Sequence, residues 1–115
     1  MVTTDDVRDL ALSLSETEEH EHLGKLSFRV RNKIFAVIQP DGVSVAMKTT
    51  HDNREAYTSI APEVFRVPDS FAKLSFMMVR IDRINQKEFG DLLIQAWKLV
   101  SPKKLVKAYS ESCNR

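Results

Sequence analysis

At 115 residues the chain is long enough for one hydrophobic core and too short for two, so a single domain over 1–115 is expected. A hydrophobic fraction of 43% beside a charged fraction of 29% excludes a disordered or low-complexity protein. No apolar run reaches the ~18–20 residues that span a bilayer, and no basic-then-apolar leader opens the chain. The expectation is therefore a cytoplasmic protein with no membrane partner. The lone cysteine, Cys113, agrees, since it has no internal disulfide partner and its place near the end argues against catalysis.

The net charge of +1 hides an asymmetry. In residues 1–24, Asp5, Asp6, Asp9, Glu16, Glu18, Glu19 and Glu21 are opposed by Arg8 alone. In residues 25–48, Lys25, Arg29, Arg31, Lys33 and Lys48 outweigh Asp41. A surface of two signs is expected.

Thr3-Thr4-Asp5-Asp6 reads as a helix start, with a threonine cap and aspartates at the positive end of the dipole. Val7, Leu10, Ala11 and Leu14 then form one apolar stripe. Ser13 to Thr17 breaks that helix, and Glu18-Glu19-His20-Glu21-His22 reads as a charged edge strand or extended loop. From Lys25 to Lys48 the chain predicts three strands. Leu26, Phe28 and Val30 alternate with polar residues. Arg31-Asn32 is a two-residue turn, Asn32 tolerating the left-handed conformation. Ile34 to Ile38 is apolar on both faces, Pro40-Asp41-Gly42 carries turn chemistry, and Val43, Val45 and Met47 supply the third strand.

Beyond the strands, Asp52-Asn53-Arg54-Glu55 has capping-box spacing and predicts a short helix through Ala56, Tyr57 and Ile60, stopped before Pro62. Glu63 to Ser70 is connecting chain anchored by Val64, Phe65 and Val67. Lys73 to Asp82 predicts a strand, with Met77, Val79 and Ile81 on one face and Phe76, Met78 and Arg80 on the other. Asn85 to Glu88 opens the longest helix, whose apolar face is Phe89, Leu92, Leu93, Ala96, Trp97 and Val100. Ser101-Pro102 restarts a helical turn, continued by Leu105, Ala108 and Tyr109. The fold class is α+β, a two-layer sandwich with an antiparallel sheet covered on one face by N- and C-terminal helices.

Catalytic chemistry finds no support in these residues. There is no glycine-rich phosphate loop, no Gly-x-Ser-x-Gly elbow and no supported Cys/His pair. His20 and His22 share a side of their strand but lack a third ligand at fixed spacing, so no metal and no cofactor is expected. The basic hairpin is the strongest candidate. Arg29, Arg31, Asn32 and Lys33 gather at one turn, placed to meet phosphates or the guanine edge of duplex DNA.

The run His22-x-Gly24-x-x-x-Phe28-Arg29-Val30, followed by Lys33-Ile34-Phe35-Ala36, resembles the MmcQ/YjbR family. So does the tail Ala96-Trp97 … Ser101-Pro102-Lys103-Lys104-Leu105. The resemblance implies a small bacterial protein with a CyaY-like (frataxin-like) fold and a double-wing arrangement of hairpins that binds DNA. Two departures stand out. The family's glycine- and tryptophan-containing turn before the last strand is here Asp69 to Phe76, and Arg31-Asn32 replaces a turn that often carries glycine. The combined reading is a non-enzymatic protein that binds double-stranded DNA through Arg29, Arg31, Asn32 and Lys33, with Lys48, Lys73 and Arg80 as secondary contacts. The alternative is a small-molecule- or protein-binding module using the open sheet face, with Arg29, Ile34, Ala36, Ile38, Phe76, Met78 and Arg80 contributing.

Overall fold

In the computed structural model, residues 2–22 and 24–113 are described, without the side chains of His22, Ser112 and Cys113. The expectations that rest on the His22 and Cys113 side chains therefore lie outside the described residues. Helix α1, Thr4–Leu12, starts where the sequence says it should. The Thr3 hydroxyl accepts from Asp6 N–H, and the Asp6 carboxylate accepts from Thr3 N–H, a reciprocal box that satisfies two orphan amides. Its stripe buries Val7 and Ala11.

The sheet has the order β1-β2-β3-β4-β6-β5, antiparallel throughout. The strands are β1, Thr17–His22; β2, Lys25–Val30; β3, Lys33–Ile38; β4, Ser44–Lys48; β5, Phe65–Arg66; and β6, Phe76–Arg80. The segment of carboxylates and histidines is thus an edge strand, and charge on an edge discourages pairing with another chain. Arg31 and Asn32 both adopt positive φ, 50° and 70°, the two-residue turn whose twist matches that of its strands. At the next turn the Asp41 carboxylate accepts from Val43 N–H, Ser44 N–H and the Ser44 hydroxyl, and Gly42 takes φ 74°.

Three boundaries differ from expectation. Helix α2, His51–Ile60, is capped by Thr50, whose hydroxyl accepts from Asn53 N–H, so it begins before the Asp52 box. Phe65–Arg66 pairs with Val79 and Met78 as the second edge strand instead of serving as connecting chain. The strand predicted over 73–82 is trimmed to Phe76–Arg80. A 3-10 turn at Asp69–Phe71, closed by Ala72 N–H to Asp69 C=O, precedes it, and another at Ile81–Arg83 follows.

Helix α3, Gln86–Val100, takes Asn85 as cap and buries Phe89, Leu92, Leu93, Ala96, Trp97 and Val100 against β3 and β4, its stripe as predicted. Trp97 is fully buried and donates its indole N–H to Ser15 C=O at 3.0 Å, tying the connection between α1 and β1 to α3. Helix α4, Lys103–Cys113, follows Pro102, whose carbonyl accepts from Leu105 and Val106 N–H. Ser101 does not act as its cap, because the hydroxyl is buried without a partner. Leu105 and Tyr109 pack on the core, and Tyr109 stands 5.5 Å from the Trp97 ring. The helices α1 and α3 thus cover one face of the sheet, and α4 packs against α3 through Tyr109.

Candidate functional site on the open face of the sheet

A strand points successive side chains to opposite faces, so the register assigns each residue a side. Phe28, Val30, Ala36, Val45, Met47, Met77 and Val79 belong to the buried cluster. The alternate rows face away from the helices. They contain Glu18 and His20 on β1, Lys25, Ser27 and Arg29 on β2, Ser44, Ala46 and Lys48 on β4, Phe76, Met78 and Arg80 on β6, and Arg66 on β5. On β3 the alternation is interrupted. Phe28 pairs with Ala36 but Arg29 pairs with Ile34, leaving Phe35 as the extra residue of a β-bulge. Phe35 and Ala36 both enter the core, while Ile34 and Val37 turn outward. Two residues expected on the open face are therefore corrected. Ala36 is fully buried in the core and Ile38 packs against it, because the bulge shifts the phase of the strand.

Among the described residues, Lys25, Arg29, Lys48, Arg66 and Arg80 populate the outward rows, against Glu18 as the carboxylate. Glu19 points the other way and pairs with Arg8 of α1. Acidic residues gather on α1 and the edge strand β1, while the outward rows of the inner strands are basic and α3 and α4 carry charges of both signs.

The site residues expected from sequence do not form one cluster. Arg29, Arg31, Asn32, Lys33 and Lys48 lie toward the end of the sheet that carries the 31–32 turn, and Lys73 comes three residues before Phe76, the partner of Lys48. Arg80 sits at the opposite end of β6. Their partners differ as well. Arg31 makes a forked contact with Glu16, Nε to Oε1 at 3.1 Å and Nη2 to Oε2 at 3.4 Å. Arg29 folds back, its Nε donating to Ser27 Oγ at 3.4 Å, and Lys48 lies 5.4 Å from the centre of the Phe76 ring. Lys33 and Lys73 are exposed. Arg80 is held by Asp82 through bonds of 2.9 and 2.7 Å. That bond holds the Asp82 carboxyl below, and the Arg80 guanidinium above, their ordinary pKa values.

Arg54, which sequence reasoning treated only as part of a capping box, organises one wall of this face. Its guanidinium donates to the carbonyls of Phe71, Leu74 and Phe76 at 3.0, 2.7 and 3.1 Å and to that of Ala72 at 3.3 Å. His51 Nδ1 sits 2.9 Å from its other arm. No local spacing signals this contact, since the acceptors lie 17 to 22 residues away. The pinned segment from Pro68 to Leu74 stands over the sheet and closes one side of a groove of about 600 Å³. Ile34, Val37, Ala46 and Met78 line its floor, Phe71 and Leu74 its wall, and Lys25 with Gln39 its polar end.

The histidines are dispersed. His20 is exposed beside Glu18 at 3.4 Å, and His51 stands with Arg54 on α2. No group of three potential metal-ligating side chains occurs among the described residues. Nor is any helix among them long and apolar enough to cross a membrane.

The fold has a solved counterpart. The chain is similar to the Deinococcus radiodurans protein DR2400, a DUF419-domain crystal structure, with a TM-score of 0.78 at 22% identity over 90% of this chain and 82% of that one. At that identity the likeness establishes the shared fold. None of the curated proteins compared with the chain matches it. The YjbR family model matches residues 12–99, from the end of α1 through all six strands and almost the whole of α3, and the chain belongs to the YjbR family.

Proposed function

We propose that the chain binds double-stranded DNA without strong sequence preference, through the end of the sheet that carries Arg29, Arg31, Asn32, Lys33, Lys48 and Lys73. One observation carries the reading: at the end of the sheet with the 31–32 turn, Arg29 and Lys48 on the outward rows and Arg31, Lys33 and Lys73 near them stand against Glu16 and Glu18, in a protein whose total charge is only +1. Charge segregated in this way attracts a polyanion to one face. Phosphates supply the affinity, so binding is salt-sensitive. Arg80 is left out of this patch, being engaged by Asp82 at the far end. Arg31 is retained despite Glu16. An exposed ion pair is worth only about 0–1 kcal/mol, and a phosphate replaces the carboxylate at little cost.

The test is fluorescence anisotropy with a labelled duplex at about 50 and 150 mM salt. Arg31→Glu/Lys33→Glu and Arg29→Glu/Lys48→Glu each weaken binding, and each lost phosphate contact lowers the salt slope by about one. Glu16→Gln, which frees Arg31, tightens binding by up to about fivefold, the equivalent of the pair it removes. No binding by the wild type at low salt, or equal binding by wild type and both reversals, would sink the reading.

A further inference from the structure

We propose that the groove beneath the Arg54-pinned segment is a binding site for a small monocarboxylate with an apolar body. The proposal is independent of the DNA reading. The groove's volume of about 600 Å³ lies within the ~300–1,000 Å³ range typical of small-molecule sites, and most of its lining is apolar. Val37, Ala46 and Met78 make the floor, and Phe71 and Leu74 the overhanging wall. Leu74 is 49% exposed, an apolar cost on a free surface that a ligand beneath it would remove.

The polar end fixes the charge of the ligand. Among the described residues, Lys25 is the one ionisable side chain that lines the groove. Its ammonium donates to Gln39 Oε1 at 3.1 Å, and the Gln39 amide in turn donates to Val37 C=O at 3.2 Å. The lysine is therefore aimed by a neutral, tethered partner, with two of its three donors still to spend. A carboxylate there gains a charge-assisted hydrogen bond and meets no competing anion. A phosphate dianion is a poorer fit, because no arginine fork and no second cation lines the groove. The wall is held from behind. Arg54 ties the carbonyls of Phe71, Leu74 and Phe76 to α2, so the cavity exists before a ligand arrives.

The experiment uses the intact chain and dansyl-labelled undecanoic acid, whose fluorescence rises in an apolar site. Decanoate, decanol and decyltrimethylammonium are the competitors. Decanoate displaces the probe best, and Lys25→Met weakens its binding about tenfold, as loss of one charge-assisted hydrogen bond does. Lys25→Glu reverses the order, so that decyltrimethylammonium competes better than decanoate. Leu74→Glu, at a half-exposed position where folding is not at risk, weakens decanoate as well by placing a carboxylate at the mouth. Thermal midpoints of all variants are recorded beside the titrations. Failure of the wild type to bind the probe, equal competition by the acid and the alcohol, or unchanged binding by folded Lys25→Met overturns the proposal. None of these outcomes bears on duplex binding by the 31–33 turn.

Discussion

Arg54 shows how one side chain can organise a surface. The carbonyls of residues 72, 74 and 76 leave the regular hydrogen-bond ladder where the chain enters β6, and a single guanidinium satisfies them while also bonding the Phe71 carbonyl, which accepts from Leu74 N–H as well. Arginine suits the task because its planar fork offers five donors without any pKa adjustment. Arg54→Leu therefore strands several carbonyls at once and lowers stability by about 2–4 kcal/mol, as loss of a charged hydrogen-bond hub does. The loss is local before it is global. Amide hydrogen exchange should quicken at Leu74 and Ala72 ahead of Met77 and Val79, which lie in the sheet. Uniform protection in the variant would show that the segment is held by Phe71 and Phe76 packing instead, their rings being 6.4 Å apart.

At the scale of elements, what the sequence revealed depended on whether the signal was local. The α3 stripe, the α1 cap and the 31–32 turn are each written within a few residues, and each forms where predicted. The bulge at Phe35 is not, because every residue from Ile34 to Ile38 is apolar and either phase buries hydrophobic surface. Only the pairing with β2 decides which of them faces the groove. Strand β5 escaped for a similar reason, since two residues carry no periodicity and the pairing to β6 is a tertiary event. The sequence placed the cap of α2 at Asp52, and the bond from Asn53 N–H to the Thr50 hydroxyl puts it at Thr50 instead. Thr50→Ala should thus cost about 1 kcal/mol in chemical denaturation. Asp52→Ala, which removes only a charge near the helix dipole, should cost about 0.3–1 kcal/mol. If Asp52→Ala proved the more costly of the two, the cap would belong where the sequence first placed it.

Over the whole molecule, the response to acid follows from three carboxylates that hold caps and turns through partners close to them in the chain. Asp6 is held below its ordinary pKa by the Thr3 N–H bond above all, and Asp82 by Arg80. For Asp41, partial burial pushes the pKa up. The bonds from Val43 N–H, the Ser44 hydroxyl and Ser44 N–H, together with the nearby Arg80 charge, outweigh that and bring it below the usual value. A carboxyl whose folded pKa lies below its unfolded value of about 3.9 binds more protons when unfolded, so it stabilises the fold fully above that pH. That contribution fades as pH falls toward the folded value. Stability should accordingly be flat from about pH 7 to 5 with respect to these groups and decline below about pH 4. Asp41 is the informative member, because its oxygens take the Val43 and Ser44 donors of the β3–β4 turn, beside the backbone bonds from Gln39 N–H to Ser44 C=O and from Gly42 N–H to Gln39 C=O. Asp41→Asn keeps Oδ1 as the acceptor for both amides, loses Oδ2 as the acceptor for the Ser44 hydroxyl, and cannot titrate. The variant should be less stable than the wild type at pH 7 and lose less of its stability between about pH 5 and 3, so that the two curves converge in acid. Chemical denaturation at a series of pH values measures both. Parallel curves across that range would mean that Asp41 titrates alike in the folded and unfolded chain, and that the turn is held by Gly42 and the backbone alone.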